Sequence, residues 1–408
     1  MKKPRYSSLQ PVLPVVRRDF LKALGTVSAV AASGIVLGVP VLAEEKPDKK
    51  ESAEVETNIG DFMKVPRGLH ALPGPFPGKV VQVTNPKCLA GDKVDAAVVA
   101  GMVEKGITAL TGKGMKKSFQ MLFDPRDVVG IKINPVGAPL IQSKPEIVEA
   151  VIAWLDKNGL PRGNIVIWDR FDDMLKEAGY TPERFPGVRL VALQTMVEEG
   201  KSFRNGKGEH VSAANFDRDA YYFAKGIEGK GVQGYKDDEY YLNQHVFNGE
   251  YSYFGKLVTR EVTKIVNIGP FKNAGHGISM ATKNLGYGAI CNTGRLHAPL
   301  FFRVCTEVLA APAIRDKLVL NINDGIRGQY DDGPMMNEKF VYPNHSLYFA
   351  TDPFALDSVC HAQMTEKRKA MGVKVSDHPR FTDYLRYAEK LGLGVVDPAL
   401  VRHVTLRT

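Results

Sequence analysis

The chain has 408 residues and a formal net charge of +9. Residues 1–43 contain six basic residues and one acidic residue, so the other 365 or so residues carry the remaining +4. This ordinary balance gives no basis for binding nucleic acid or an acidic membrane surface. The four cysteines form no CxxC pair, which indicates unpaired, mostly buried thiols and argues against a self-contained iron–sulfur cluster.

Residues 1–43 have the three-part order of an export signal, with a basic stretch, an uncharged run and a cleavage site near Glu44. The hexapeptide RRDFLK at 17–22 resembles the RRxFLK consensus of twin-arginine signals. We therefore expect the twin-arginine translocase to export the folded chain to the periplasm or beyond. The alternative is that the segment stays uncleaved as an anchoring helix. No later segment has the roughly 18 apolar residues of a membrane helix, so no permanent span is expected after cleavage.

Residues 44–64 begin with a charged stretch that is poor in aromatic residues, which predicts a disordered tether. From 65 to 390, short β-branched runs alternate with helical patterns, which predicts an α/β domain with a mostly parallel sheet and helices on both faces. The predicted strands cover 80–84, 128–133, 165–168, 189–192, 264–268, 318–322 and 347–350. The predicted helices cover 94–105, 145–158, 299–309 and 353–369.

Between about 201 and 255 this alternation gives way to polar sequence with seven tyrosines. A segment this long inside a compact domain is rarely a bare loop. It is interpreted as an inserted subdomain or lid over the sheet edge, and a decorative surface insertion remains the alternative. The chain is then expected to end in a surface element at 391–408.

Ligands of open α/β sheets bind outside the carboxyl ends of the strands. Five predicted strands end in Lys, Asn or Asp residues, which should therefore meet at one rim. The candidate ligand-binding, catalytic or metal-binding residues among them are Lys132, Asn134, Asp324 and Asp352. Asp and Asn before Pro or Gly are also common turn and N-cap residues, so structural roles stay open for each of them.

The densest group of polar side chains lies between 267 and 299, where six glycines allow close backbone approach to a ligand. The candidates in this segment are Lys272, His276, Lys283, Asn284, Arg295 and His297. Their cationic and imidazole groups suit a carboxylate or phosphate, or a metal ion held by histidine and carboxylates. A structural role for either histidine is the alternative.

Several segments occur in the order found in the bacterial and archaeal domain-of-unknown-function family 362, which the chain resembles over roughly 80–369. They are VVGIKINPVG, NIVIWD, the stretch from Lys272 through TKNLG, LNINDGIRGQYDDGP and YFATDPFALDSV. The resemblance implies an α/β fold and, for some relatives, association with iron–sulfur proteins through added ferredoxin-type cysteine clusters, which this sequence lacks. It adds weight to the matching candidate positions and adds Asp357 to them.

The favoured hypothesis is an exported protein that binds a small anionic ligand or a metal in a cleft lined by Lys, His and Asp. Both an enzyme and a binding protein are consistent with this hypothesis. His276, Lys283 and Asp324 are the catalytic candidates, and Asp352 and His297 are the metal candidates. The ligand-binding candidates are Lys132, Asn134, Lys272, Asn284 and Arg295. The alternative is a non-catalytic binding or assembly partner of another exported redox protein. A weaker third hypothesis is electron transfer through a centre that a partner supplies.

Overall fold

The computed structural model describes residues 55–193, 215–228, 249–297 and 300–408. The expected export signal and most of the predicted tether lie outside the described residues, as does much of the 201–255 insertion. Within the described ranges, no helix combines the length and the apolar character needed to cross a membrane.

The strands, in chain order, are β1 Lys79–Thr84, β2 Leu89–Ala90, β3 Lys93–Val94, β4 Val129–Lys132, β5 Ile165–Asp169, β6 Arg189–Ala192, β7 Phe216–Phe223, β8 Tyr251–Gly255, β9 Lys264–Ala274, β10 Gly277–Ile278, β11 Leu318–Gln329, β12 Val341–Ala350 and β13 Arg402–Arg407. The α-helices are α1 Ile59–Lys64, α2 Ala96–Thr111, α3 Met115–Leu122, α4 Pro145–Lys157, α5 Asp172–Glu177, α6 Ala281–Gly286, α7 Arg303–Ala310, α8 Pro312–Arg315, α9 Pro353–Ala370 and α10 Asp383–Lys390.

The main sheet has the strand order β13-β1-β12-β11-β9-β4-β5-β6, with β10 paired to β9. The neighbours from β11 to β6 all pair in parallel, whereas β12 pairs antiparallel with both β1 and β11. The predicted α/β class with a mostly parallel sheet is confirmed. The carboxyl ends of β4, β5 and β9 therefore meet at one edge of the sheet.

Both faces of the sheet are covered, as the alternation of side chains along the strands requires. In β5, Ile165 and Ile167 pack into a cluster with α2, α3 and α4, while Val166 and Trp168 pack into a second cluster with α6 and α7. A third cluster joins the opposite end of the sheet to α9. All four cysteines are buried and unpaired, as expected.

Three strands extend beyond the predicted limits. The sequence predicts strand ends at 268 and 322, but β9 continues to Ala274 and β11 to Gln329. Gly269-Pro270 and Asp324-Gly325 have the composition of turns, yet the two strands continue side by side until Gln329 pairs with Lys272. The antiparallel strand β12 likewise begins at Val341 rather than 347, because it pairs along the extended part of β11. Pairing with a neighbouring strand thus overrides local turn propensity.

Helix ends follow the capping residues. Helix α2 runs from 96 to 111 rather than 94 to 105. It begins after Asp95 because that side chain accepts hydrogen bonds from the backbone amides of Ala97 and Val98. It ends at Gly112, which has a φ of +69°. Helix α7 begins at Arg303, four residues after the predicted start.

The structure also adds detail to the predicted tether, the insertion and the C-terminal segment. Helix α1 lies inside the predicted tether, where Phe62 packs edge-on against Phe254 with ring centroids 6.4 Å apart. The described parts of the insertion form the antiparallel β7–β8 hairpin. The C-terminal segment contributes β13, which pairs in parallel with β1 at the edge of the sheet.

Candidate functional site

A pocket of about 130 Å³ opens at the carboxyl ends of β4, β5 and β9 and is closed on one side by α6 and the turn that follows it. Its charged and imidazole side chains are Lys132, Asp169, Arg170, Lys272, Lys283 and His297. The strand order brings together residues that lie up to 165 positions apart, from Lys132 to His297.

Lys132 lies at the end of β4 and is only 1% exposed. Its ammonium group is paired with the Asp169 carboxylate and also donates to the Asn284 side-chain oxygen at 2.8 Å and to the Ile133 carbonyl at 2.6 Å. Burial lowers the pKa of Lys132, and the charge of Asp169 opposes that shift. All three ammonium protons therefore have acceptors, which is the condition under which a buried lysine stays charged.

Asn284 joins α6 to the sheet. Its side-chain nitrogen donates to Asn267 Oδ1 at 2.8 Å, and its oxygen accepts from Lys132. Gly288 completes this packing, because a Cβ atom there would lie 2.5 Å from Lys132 Cε and 2.2 Å from the Asn284 carbonyl oxygen. A side chain at position 288 would therefore displace Lys132, so the glycine is required by close approach.

Lys272 lies near the end of β9 and is fully buried. Its Nζ donates to the Val136 carbonyl at 2.6 Å, and no carboxylate in the described residues forms an ion pair with it. Burial first, and then the charge of Lys283, lowers the pKa of Lys272 well below its usual value. An anion bound beside such a group favours its charged form.

Lys283 extends from α6 and is half-buried. Its Nζ lies 5.1 Å from the centroid of the Tyr287 ring, and it has neither a hydrogen-bond acceptor nor a carboxylate partner among the described residues. Burial lowers the pKa of Lys283 as well. The Tyr287 hydroxyl donates to the Phe301 carbonyl at 2.7 Å, which fixes the ring beneath the ammonium group.

His297 packs on the same tyrosine, with ring centroids 4.4 Å apart. Its Nδ1–H donates to the Thr293 carbonyl at 3.0 Å, so Nε2 is the acceptor of the neutral ring. Burial, followed by the charge of Lys283, lowers the pKa of His297 to about 3. This histidine is therefore uncharged at neutral pH.

Arg170 follows β5 directly and brings a further cation to the pocket. It donates to Thr293 Oγ1 at 2.9 Å, and its guanidinium carbon lies 5.1 Å from the Phe171 ring centroid. Among the three lysines of the lining, Lys132 is paired with Asp169, whereas Lys272 and Lys283 have no carboxylate partner in the described residues. These two lysines favour an anion in the pocket.

Six of the ten candidate residues line this pocket, namely Lys132, Asn134, Lys272, Lys283, Asn284 and His297. Sequence reasoning did not select Asp169 and Arg170, although both belong to the site. The signal was present, because the two residues follow a buried strand directly, in the same way as Asn134 follows β4.

Two of the catalytic candidates lie outside the pocket lining. His276 is exposed in the turn between β9 and β10, with its ring 5.4 Å from that of Phe381. Asp324 is buried within β11, where its carboxylate accepts from the Lys144 amide at 2.7 Å and from the Ile326 amide at 3.1 Å. Burial raises the pKa of Asp324 to about 6. Its observed contacts fix the start of α4.

Arg295 and Asp352 also lie outside the pocket lining. Arg295 donates to the Ile227 carbonyl at 2.7 Å and to Ser252 Oγ at 2.9 Å, so it ties the β7–β8 hairpin to the domain. Asp352 is the N-cap of α9, and its carboxylate accepts from the four backbone amides of Gly78, Phe354, Ala355 and Val395.

Asp357, the position added by family resemblance, has a similar role. Its carboxylate accepts hydrogen bonds from the amides of Ala281 and Thr282 and from the Thr282 hydroxyl, which fixes the first turn of α6.

In the part of the chain that the structure describes, no three or more His, Cys, Asp or Glu side chains are grouped so that they could hold a metal ion. Of the two metal candidates, His297 lines the pocket and Asp352 caps α9.

Residues 129–362, more than half of the chain, match the model of a family described as Domain of unknown function (DUF362). The chain belongs to the DUF362 family. The comparison with curated proteins gives no match. Every residue of the pocket lining, from Lys132 to Met335, falls within the segment that defines this DUF362 protein as a family member.

Proposed function

We propose that this DUF362 protein binds a small anionic ligand, a carboxylate or a phosphate, in the pocket at the ends of β4, β5 and β9. The observation that carries the proposal is that Lys272 and Lys283 line the pocket without a carboxylate partner among the described residues. The carboxylate of Asp169 is already paired with Lys132.

Burial of unpaired lysines disfavours their charged form, and a bound anion would remove this penalty. Lys272 and Lys283 both have lowered pKa values for this reason. A bound anion should therefore raise the pKa values of both lysines. The volume of about 130 Å³ is well below the roughly 300 Å³ of the smallest drug-sized pockets, so the ligand should have only a few non-hydrogen atoms.

Isothermal titration calorimetry with phosphate, acetate and glycolate tests the proposal. Saturable binding is expected for at least one of these anions. Lys283→Met should weaken that binding, while Lys116→Met, which removes an exposed lysine on α3, should leave it unchanged. Equal binding by both variants would place the anion elsewhere and refute the proposal.

A second candidate function is association with another exported redox protein. It is supported by the β7–β8 hairpin, where Tyr221 and Tyr251 remain 37% and 39% exposed although their rings pack together at 5.0 Å. Tyrosine is enriched at protein interfaces. Co-purification of a partner that is lost on Tyr221→Ser with Tyr251→Ser, and kept on Lys283→Ala, is expected under this proposal. The reverse dependence would refute it.

Export by the twin-arginine route is a separate proposal, supported by the RRDFLK hexapeptide at 17–22. Replacing both Arg17 and Arg18 by lysine should keep the chain in the cytoplasmic fraction of the producing cells. Unchanged export of that double variant would refute the proposal without affecting the pocket.

A further inference from the structure

The three lysines of the pocket differ in how their ammonium groups are engaged. Lys132 has three acceptors and is 1% exposed, and Lys272 donates to a carbonyl and is fully buried. Lys283 is half-buried and has no acceptor among the described residues. It is therefore the lysine of this lining that a ligand can reach and that forms no competing hydrogen bond.

No carboxylate among the described residues holds Lys283 in its charged form. The adjacent cation Lys272 has no carboxylate partner among the described residues, and Asp169 is already engaged by Lys132. Burial lowers the pKa of Lys283, and its charge contributes to the lowered pKa of Lys272. A lysine that is desolvated and close to a second cation is the usual form of an amine nucleophile.

Neighbouring groups hold the amine in position and offer a hydrogen-bond acceptor. Both Lys283 and His297 pack against the ring of Tyr287, at 5.1 Å and 4.4 Å. Because Nδ1 of His297 donates to the Thr293 carbonyl, Nε2 of the neutral ring can accept a hydrogen bond. Arg170, which also lines the pocket, provides a planar guanidinium suited to a carboxylate.

We propose that Lys283 forms an imine with a small anionic aldehyde or 2-oxo acid, whose carboxylate is held by Arg170 and Lys272. This proposal rests on the anion binding proposed above and names its substrate class. The Nζ of Lys283 attacks the carbonyl carbon, and the carbonyl oxygen leaves as water with the two protons of the amine. A C=N bond replaces the C=O bond, so no oxidant or reductant is needed.

Reductive trapping tests the proposal on the full chain. The protein is incubated with glyoxylate or pyruvate and cyanoborohydride, which reduces the imine to a stable secondary amine, and the adduct is located by peptide mass mapping. Adduct at Lys283 is expected to form about tenfold faster than at the exposed lysines Lys116 and Lys117. Excess acetate should protect Lys283 and leave the exposed lysines unprotected.

Lys283→Arg serves as the matched variant, because it keeps the positive charge but cannot form the imine. It should lose the pocket adduct and bind glycolate, which has the carboxylate but no carbonyl, more tightly than Lys283→Met does. Labelling confined to exposed lysines, with glycolate binding intact, would overturn the imine and leave anion binding standing. Failure of the wild-type chain to bind either glycolate or glyoxylate would overturn both proposals. Because acetate protection is measured on the wild-type chain, the test does not depend on the folding of the variant.

Discussion

The pocket lysines and the buried aspartates of this domain show how candidate residues of similar polarity reach two different outcomes. Asp324, Asp352 and Asp357 accept hydrogen bonds from backbone amides and stabilise helix starts. Lys272 and Lys283 line the pocket with far fewer hydrogen-bond partners and without a carboxylate among the described residues. The number of satisfied hydrogen bonds therefore separates the structural aspartates from the lysines that we propose to bind a ligand.

The largest expected effect is on stability, at Asp352. Asp352→Ala leaves four backbone amides from three segments without their acceptor. We expect the free energy of unfolding to fall by about 4 kcal/mol, measured by urea denaturation. Asp92→Ala is the control, because that side chain is 92% exposed and its ion pair with Arg327 should contribute little. Similar losses in the two variants would contradict the capping role.

The second largest expected effect is for Gly288→Ala, which should change both stability and anion binding. Gly288→Ala places a methyl group 2.5 Å from Lys132 Cε, so either α6 or Lys132 must shift. Overpacking of this kind should cost about 2 to 3 kcal/mol of stability and also weaken anion binding. Gly101→Ala on α2 is the control, because a Cβ atom there meets no neighbour within 4 Å. An unchanged affinity in Gly288→Ala would show that Lys132 does not position the site.

The buried aspartates should also make stability depend on pH. Burial raises the pKa values of Asp324, Asp352 and Asp357 to about 6 from an unfolded value of 3.8. Between these pH values the folded state binds more protons than the unfolded state, so the contribution of each carboxyl to stability is present at pH 4 and is lost as the pH rises through 6. The change is about 2 kcal/mol per group.

Urea midpoints at pH 4 and pH 6.5 measure this change. In Asp324→Asn the titrating group is removed, and the decline between the two pH values should become smaller than in the wild-type chain. An identical decline in both proteins would show that Asp324 does not titrate in this range.

The smallest expected free-energy change is in anion binding, for a substitution of Lys283. Lys283→Met should weaken anion binding about tenfold, or about 1.4 kcal/mol, while leaving the free energy of unfolding unchanged or slightly higher. Calorimetry for affinity and urea denaturation for stability give the two readouts. A loss of stability comparable with that of Asp352→Ala would place Lys283 among the structural residues instead.

Local pattern predicted most of the sheet and much of the site. The buried strand at Ile165–Asp169 and the proline-initiated helices at Pro145–Lys157 and Pro353–Ala370 follow from β-branched runs and from proline in the first turn. The extended halves of β9 and β11 could not be predicted, because Gly269-Pro270 favours a turn until the neighbouring strand supplies hydrogen bonds. For this reason the sequence placed Lys272 in a loop, whereas it lies in a strand.

The sequence by itself determined the α/β class, the family and the position of polar residues at the strand ends, since these depend on local periodicity and residue type. Only the tertiary structure decided which of those residues share a pocket. The direction of a side chain and the presence of a buried partner depend on segments distant in sequence, as Asp352 with Gly78 and Val395, or Lys132 with Asn284, illustrate. Residue type determines which hydrogen bonds a side chain can donate or accept. Packing determines whether other residues of the protein already form those hydrogen bonds.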